Sequence, residues 1–141
     1  WHGVSCTTQG RVIGISLPAN QLTGTIPPDV GNLTHLRGLM LGGMGGGGIE
    51  RNSIIGEIPD NIDQLYRLQT LHLDHNLLSG RLPPTLGRLS ALTSLDLRNN
   101  RFEGPLPSFA ALQELSALYL QHNYLNDTVD TLRHLSKLET L

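Results

Sequence analysis

Apolar residues recur along this chain in one phrase. A Leu or Val is followed three positions later by another aliphatic residue, then by an apolar-polar-apolar alternation, an Asn at the ninth position, an apolar eleventh, a Gly thirteenth and a Pro sixteenth. Copies start at Val12, Leu36, Leu68, Leu92 and Leu115, and a partial sixth starts at Leu138. The period is 23 or 24 residues once the Gly-rich stretch Met44 to Arg51 is set aside. A unit this short cannot bury an apolar face alone, so the copies must stack into a solenoid in which each covers its neighbour.

The alternations Ile15-Ser16-Leu17, Leu39-Met40-Leu41, Leu71-His72-Leu73, Leu95-Asp96-Leu97 and Leu118-Tyr119-Leu120 have the period of strands with one buried face. At about 4.8 Å per strand they predict one parallel sheet roughly 20–25 Å across. The Asn column (Asn20, Asn52, Asn76, Asn100 and Asn123) supplies donors and acceptors to a turn whose backbone has no helix or sheet to satisfy it. Val30, Ile62, Leu86, Phe109 and Leu132, then Leu33, Leu65, Leu89, Leu112 and Leu135, are expected to close the core from the far side. Pro at the sixteenth position leaves room there only for 3₁₀ turns. In the fifth copy Asp127 and Asp130 replace the Gly and Pro, so its second short strand is expected to be lost.

Composition narrows the function classes. The formal net charge is −2, which gives no basic footprint for nucleic acid. No run of 18 apolar residues is present, so no segment of this sequence reads as spanning a bilayer. The stretch Gly43-Met-Gly45-Gly-Gly-Gly48 matches G-x-G-x-x-G in form, but no helix pattern follows it, and it reads as a surface insertion rather than a nucleotide cradle. No nucleophile, base or paired carboxylate in a protected cleft is evident, so neither catalysis nor a cofactor is expected.

The phrase L-x-x-L-x-L-x-x-N-x-L-x-G-x-I-P resembles the plant-type leucine-rich repeat. The opening Trp1-His-Gly3-Val4-Ser-Cys6 is similar to the W-x-G-V-x-C that ends the N-terminal cap of plant receptor-like kinases, receptor-like proteins and polygalacturonase-inhibiting proteins. The resemblance implies an α/β repeat solenoid, a right-handed horseshoe with a concave parallel sheet and 3₁₀ turns on its convex side. Residues 1–11 would be the end of the cap and 12–141 the repeats, with the insertion at 44–51. It also implies that Cys6 is half of a cap disulfide whose partner lies upstream of Trp1, and hence an oxidising, extracellular setting. A buried free thiol is the alternative. The start at Trp1 and the stop inside a repeat read as cuts in a longer protein.

Side chains at the variable strand positions would then form a solvent-facing ladder. Its richest part is His72, Asp74, His75, Asp96, Arg98, Asn99, Tyr119, Gln121 and His122, where Tyr and Arg are residue types enriched among binding hot spots. These positions do not converge tetrahedrally, so a zinc site is not expected. The first two copies offer only Ser16, Pro18, Met40 and Gly42 and are expected to act as support. The sequons Asn32-Leu-Thr34 and Asn126-Asp-Thr128 would carry glycans off the concave face. The expectation is an extracellular or cell-surface module that binds a protein or peptide, within a receptor-like protein or receptor kinase used in signalling. A secreted inhibitor of a wall-degrading glycosidase and a structural wall or adhesion protein are the alternatives.

Overall fold

Each copy of the repeat contributes two short strands to two different sheets, and the computed structural model describes them over residues 2–43, 51–126 and 129–140, with Val129 and Asp130 described by backbone alone. In chain order the strands are β1 (Val4–Cys6), β2 (Val12–Ser16), β3 (Thr23–Thr25), β4 (Gly38–Met40), β5 (Ser53–Gly56), β6 (Thr70–His72), β7 (Leu77–Arg81), β8 (Ser94–Asp96), β9 (Arg101–Gly104), β10 (Ala117–Tyr119) and β11 (Tyr124–Leu125). One sheet runs β1-β2-β4-β6-β8-β10 and the other β11-β9-β7-β5-β3. The first is parallel from β2 onward, with Ile15, Leu39, Leu71, Leu95 and Leu118 in register. β1 alone runs antiparallel, with a bulge between Ser5 and Cys6.

The far side of the solenoid is built of 3₁₀ turns at Pro28–Asn32, Ile62–Gln64, Pro84–Arg88 and Val129–Leu132, and no α-helix occurs among the described residues. Pro27 and Pro83 hold the extended backbone that enters two of these turns. The next proline of each pair, Pro28 and Pro84, sits in the first turn, where its missing N–H costs nothing. Leu65, Leu68, Leu71, Leu73, Leu86, Leu89, Leu92, Leu95 and Phe102 are fully buried between the layers. Burying one such side chain contributes about 1.5–3 kcal/mol.

The Asn column works as a lateral stitch. Asn100 Nδ2 donates to the carbonyls of Leu73 (2.9 Å) and Leu97 (3.2 Å), and its Oδ1 accepts from Leu78 N–H at 3.0 Å. Asn52, Asn76 and Asn123 repeat this arrangement, each joining its own strand end to that of the preceding copy. Asn20 departs from the expectation: its side chain is exposed and makes no hydrogen bond among the described residues. The reason is topological. The strand before β2 is antiparallel and presents no equivalent row of carbonyls.

The thirteenth-position glycines Gly24, Gly56, Gly80 and Gly104 all adopt positive φ, between 77° and 91°. A Cβ at Gly80 or Gly104 would also press on the preceding copy, since the Glu57 side chain, its carboxylate foremost, lies over Gly80 and the Arg81 side chain over Gly104. The second strand of the fifth copy is shortened rather than lost. Tyr124 and Leu125 still pair with Glu103 and Gly104, because Asn123 anchors the turn before the irregular positions are reached. Asp127 lies outside the described residues, as do Trp1, Leu141 and the insertion from Met44 to Glu50.

Candidate functional site

The concave sheet carries its outward side chains in rows that cross the strands. One row is Ser16, Met40, His72, Asp96 and Tyr119, fixed by the register of β2, β4, β6, β8 and β10. A second is Pro18, Gly42, Asp74, Arg98 and Gln121 at the strand ends, held by the bonds Ala19 N–H to Gly42 O, Gly43 N–H to Asp74 O, His75 N–H to Arg98 O and Asn99 N–H to Gln121 O, each 2.9–3.0 Å. The rows therefore bring His72, Asp74, Asp96, Arg98, Tyr119 and Gln121 onto one surface over three adjacent copies.

These side chains hold one another. Arg98 donates from Nη2 to Asp96 Oδ2 at 3.2 Å, its backbone N–H donates to Asp96 Oδ1 at 3.2 Å, and its guanidinium lies 5.2 Å from the centre of the Tyr119 ring. His72 Nε2 is 2.8 Å from Ser94 Oγ. The His75 ring is clamped at both nitrogens, with Nδ1 2.9 Å from Asp74 Oδ2 and Nε2 3.1 Å from Asn99 Nδ2. The neutral Nδ1–H tautomer satisfies both contacts, by donating to the carboxylate and accepting from the amide.

The two carboxylates are less open than strand alternation suggests: Asp74 is 5% exposed and Asp96 4%. Burial, and next the neighbouring Asp74 charge, push the Asp96 carboxyl above its ordinary value. The Arg98 N–H, the Arg98 guanidinium and His72 pull in the opposite direction without cancelling that rise.

Three residues expected on this face also shape the turn that leaves it. His75, Asn99 and His122 occupy the eighth position of their copies with φ of 52°, 54° and 60°, as Ala19 does at 51°. Left-handed backbone at a non-glycine residue costs about 1–3 kcal/mol and is tolerated best by Asn, Asp and His. Backbone geometry thus accounts for these residue types. Sequence reading also missed Ser94, the partner of His72, and the importance of Gly42, whose missing Cβ leaves the space filled by the Asp74 carboxylate. Gly42 stands next to the glycine-rich insertion and reads as part of it, which hides this signal.

Elsewhere, Asn32 is exposed at the end of a 3₁₀ turn and Asn126 is exposed beyond β11, while Thr128 of the second sequon lies outside the described residues. Cys6 is exposed in β1. An apolar groove of about 410 Å³ opens at the first two copies, lined among others by Ile15, Leu22, Ile26, Val30, Leu33 and Leu39. No group of three His, Cys, Asp or Glu side chains able to hold a metal occurs among the described residues. Nor is any described helix long and apolar enough to cross a membrane.

Comparison with known proteins places this architecture. A family model described as a leucine-rich repeat region matches residues 9–141. The chain is 38% identical over 76 residues to Receptor-like kinase TMK4 of Arabidopsis thaliana, a match covering 54% of this chain and 7% of that protein. The ectodomain of the receptor kinase SOBIR1 from Arabidopsis thaliana superposes with a TM-score of 0.83 at 27% identity, covering 98% of this chain and 76% of that one. The plant peptide hormone receptor RGFR1, solved in complex with RGF2, superposes with a TM-score of 0.82 at 38% identity, covering 90% of this chain and 19% of that one. The chain thus spans a small fraction of the curated relatives it matches, and the solved structures it resembles include a receptor-kinase ectodomain.

Proposed function

The chain belongs to the leucine-rich repeat family, and from that premise we propose that it is a ligand-recognition segment of an extracellular, receptor-like protein. Its ligand is a peptide or protein segment laid across the concave sheet over β6, β8 and β10. One observation carries this reading: Arg98 is held between Asp96 and Tyr119, and His72 is held by Ser94, before any ligand arrives. Side chains already ordered by their neighbours lose little rotamer freedom on binding, and that loss is a principal cost of association. Tyr119 offers a flat, half-exposed face and Gln121 an exposed amide at the open side of the same surface. Likeness to a receptor crystallised with a peptide hormone supports the same class of ligand. Signalling by an attached kinase would belong to the longer protein, as in the receptor kinases this chain resembles.

Asn32 and Asn126 would carry glycans outside the concave rows, leaving the ladder open. Cys6, exposed in β1, fits the cap disulfide that the family resemblance implies.

The test uses a displayed library of random peptides selected on the full chain. Selected binders should lose about 1–2 kcal/mol of affinity, roughly 5- to 30-fold, on Arg98→Ala or Tyr119→Ala. Arg88→Ala, on the convex side, should leave them unchanged. Binders indifferent to both ladder substitutions would move the site elsewhere.

A further inference from the structure

The residue just before the first anchor of each copy forms a column along the edge where the strands of the concave sheet begin. It reads Arg11, His35, Arg67, Ala91, Glu114 and Lys137. Its two ends differ in charge. At the C-terminal end Lys137 Nζ lies 2.7 and 2.8 Å from the Glu114 carboxylate, so the column neutralises itself. At the N-terminal end nothing plays that part. Arg11 Nη1 is 3.4 Å from His35 Nε2, and Arg37 is exposed two residues beyond His35. None of Arg11, Arg37 and Arg67 has a carboxylate within ion-pair distance among the described residues.

The surrounding sequence explains why. There is no Asp or Glu from Trp1 to Pro28, from Val30 to Gly43, or from Gln64 to Leu73. The fields of the guanidinium groups overlap: after burial, Arg11 and then Arg67 hold the His35 imidazole below its ordinary range. Successive copies stand about 4.8 Å apart, so the cationic column from Arg11 to Arg67 extends roughly 10 Å along the solenoid axis. Beside it Tyr66 is 54% exposed, with the Arg67 guanidinium 5.5 Å from its ring centre.

We propose that this edge is a second binding surface, separate from the ladder, that docks an acidic segment of a partner protein. Each guanidinium presents a planar fork of donors that a carboxylate accepts in pairs, and Arg11, Arg37 and Arg67 offer three such forks with no carboxylate partner among the described residues. Tyr66 supplies the aromatic anchor. The composition of the patch favours a protein partner over a bare polyanion: its cations are all Arg without Lys, with an exposed Tyr beside Arg67, and Arg and Tyr are enriched where proteins meet while Lys is depleted. Three unpaired charges also repel one another in the free protein, and partner carboxylates relieve that repulsion. Long-range attraction would speed the encounter even though the chain as a whole is weakly acidic.

The test measures anisotropy of a fluorescein-labelled deca-glutamate peptide titrated with the full chain. Asn32 is replaced by Gln so that no glycan stands beside Arg11, with which it lines a shallow cleft. Binding should weaken steeply between about 20 mM and about 150 mM NaCl. It should fall at least about 10-fold in the triple variant Arg11→Gln, Arg37→Gln, Arg67→Gln, and measurably in Tyr66→Ala. A control triple, Arg81→Gln, Arg101→Gln, Arg133→Gln, removes the same charge from exposed positions elsewhere and should leave affinity near the parent value. Equal losses in the two triples, or undiminished binding in the first, would overturn the proposal. Tighter binding of a uronic-acid oligomer with the same number of carboxylates would overturn the assignment to a protein partner.

Discussion

The first copy of the repeat and the third and fourth share one motif but not one environment. In the first, Val12, Ile15, Leu22, Val30 and Leu33 are only partly buried, and an apolar groove opens against the second, whose Leu36, Leu39, Ile62 and Leu65 are already enclosed. In the third and fourth, the corresponding anchors Leu68, Leu71, Leu78, Leu86, Leu89, Leu92 and Leu95 are fully enclosed. The polar ladder stands over enclosed copies, whereas the bare positions Ser16 and Pro18 stand over the open one and Met40 and Gly42 over its neighbour. In a solenoid a core belongs to the contact between neighbours and not to the repeat itself, so identical residues gain different stabilisation according to what lies on either side. Only a fully packed support can hold two carboxylates such as Asp74 and Asp96 more than nine-tenths buried.

The sharpest way to break this comparison is to make the same substitution in both regions. Asn100→Ala would leave the Leu78 N–H without a partner and take one of two side-chain donors from the carbonyls of Leu73 and Leu97, which Asn76 and Asn123 also serve, at a cost of about 1–3 kcal/mol. Asn20→Ala removes a side chain that stitches nothing and should cost under about 0.5 kcal/mol. Denaturant titrations of the two variants measure the gap, and equal losses would mean that the open end is as tightly organised as the centre.

A smaller effect separates burial from pairing at Asp96. Its carboxyl is raised, so the folded chain holds that proton more tightly than the unfolded chain does. The corresponding stabilisation is complete below the ordinary value of 3.8 and is lost as pH rises through the raised value. Above that window the ionised carboxylate is a net burden on the fold. Asp96→Asn is neutral at every pH and lacks this loss, so its melting temperature should improve relative to the parent as pH climbs from about 3.5 to about 7. A difference that stays flat over that range would show that Arg98 fully offsets the burial.

The smallest effect is expected in the second copy, next to the open one. Gly43 and Arg51 lie close together, a Cβ built on Gly43 standing 3.4 Å from that of Arg51, and Asn52 resumes the stitch at once through the Leu41 and Leu17 carbonyls. Deleting Met44 to Arg51 should therefore leave thermal unfolding unchanged or slightly raised, by under about 1 kcal/mol. A clear loss would show that the insertion supports the first two copies.

Asn52, Asn76, Asn100 and Asn123, the glycines at positive φ and the strand anchors were all legible in the sequence, because each follows from local demands that recur once per copy. An Asn must serve the turn, a Gly must take the left-handed backbone, and an aliphatic side chain must leave water. The sequence by itself thus determined the period, the two strands per copy, the 3₁₀ side and the surface on which variable residues would gather.

What only the tertiary structure decided concerns relations between copies. Asn20 has nothing to stitch because β1 runs antiparallel. His75, Asn99 and His122 take left-handed backbone. Asp74 settles over Gly42, Asp96 answers to both Asp74 and Arg98, and Lys137 is neutralised by Glu114 while Arg67 is not. These outcomes depend on which side chain the neighbouring copy presents across a strand spacing of about 4.8 Å. A one-dimensional pattern shows that copies are adjacent, but the burial and pairing of each side chain are set by contacts between residues more than twenty positions apart.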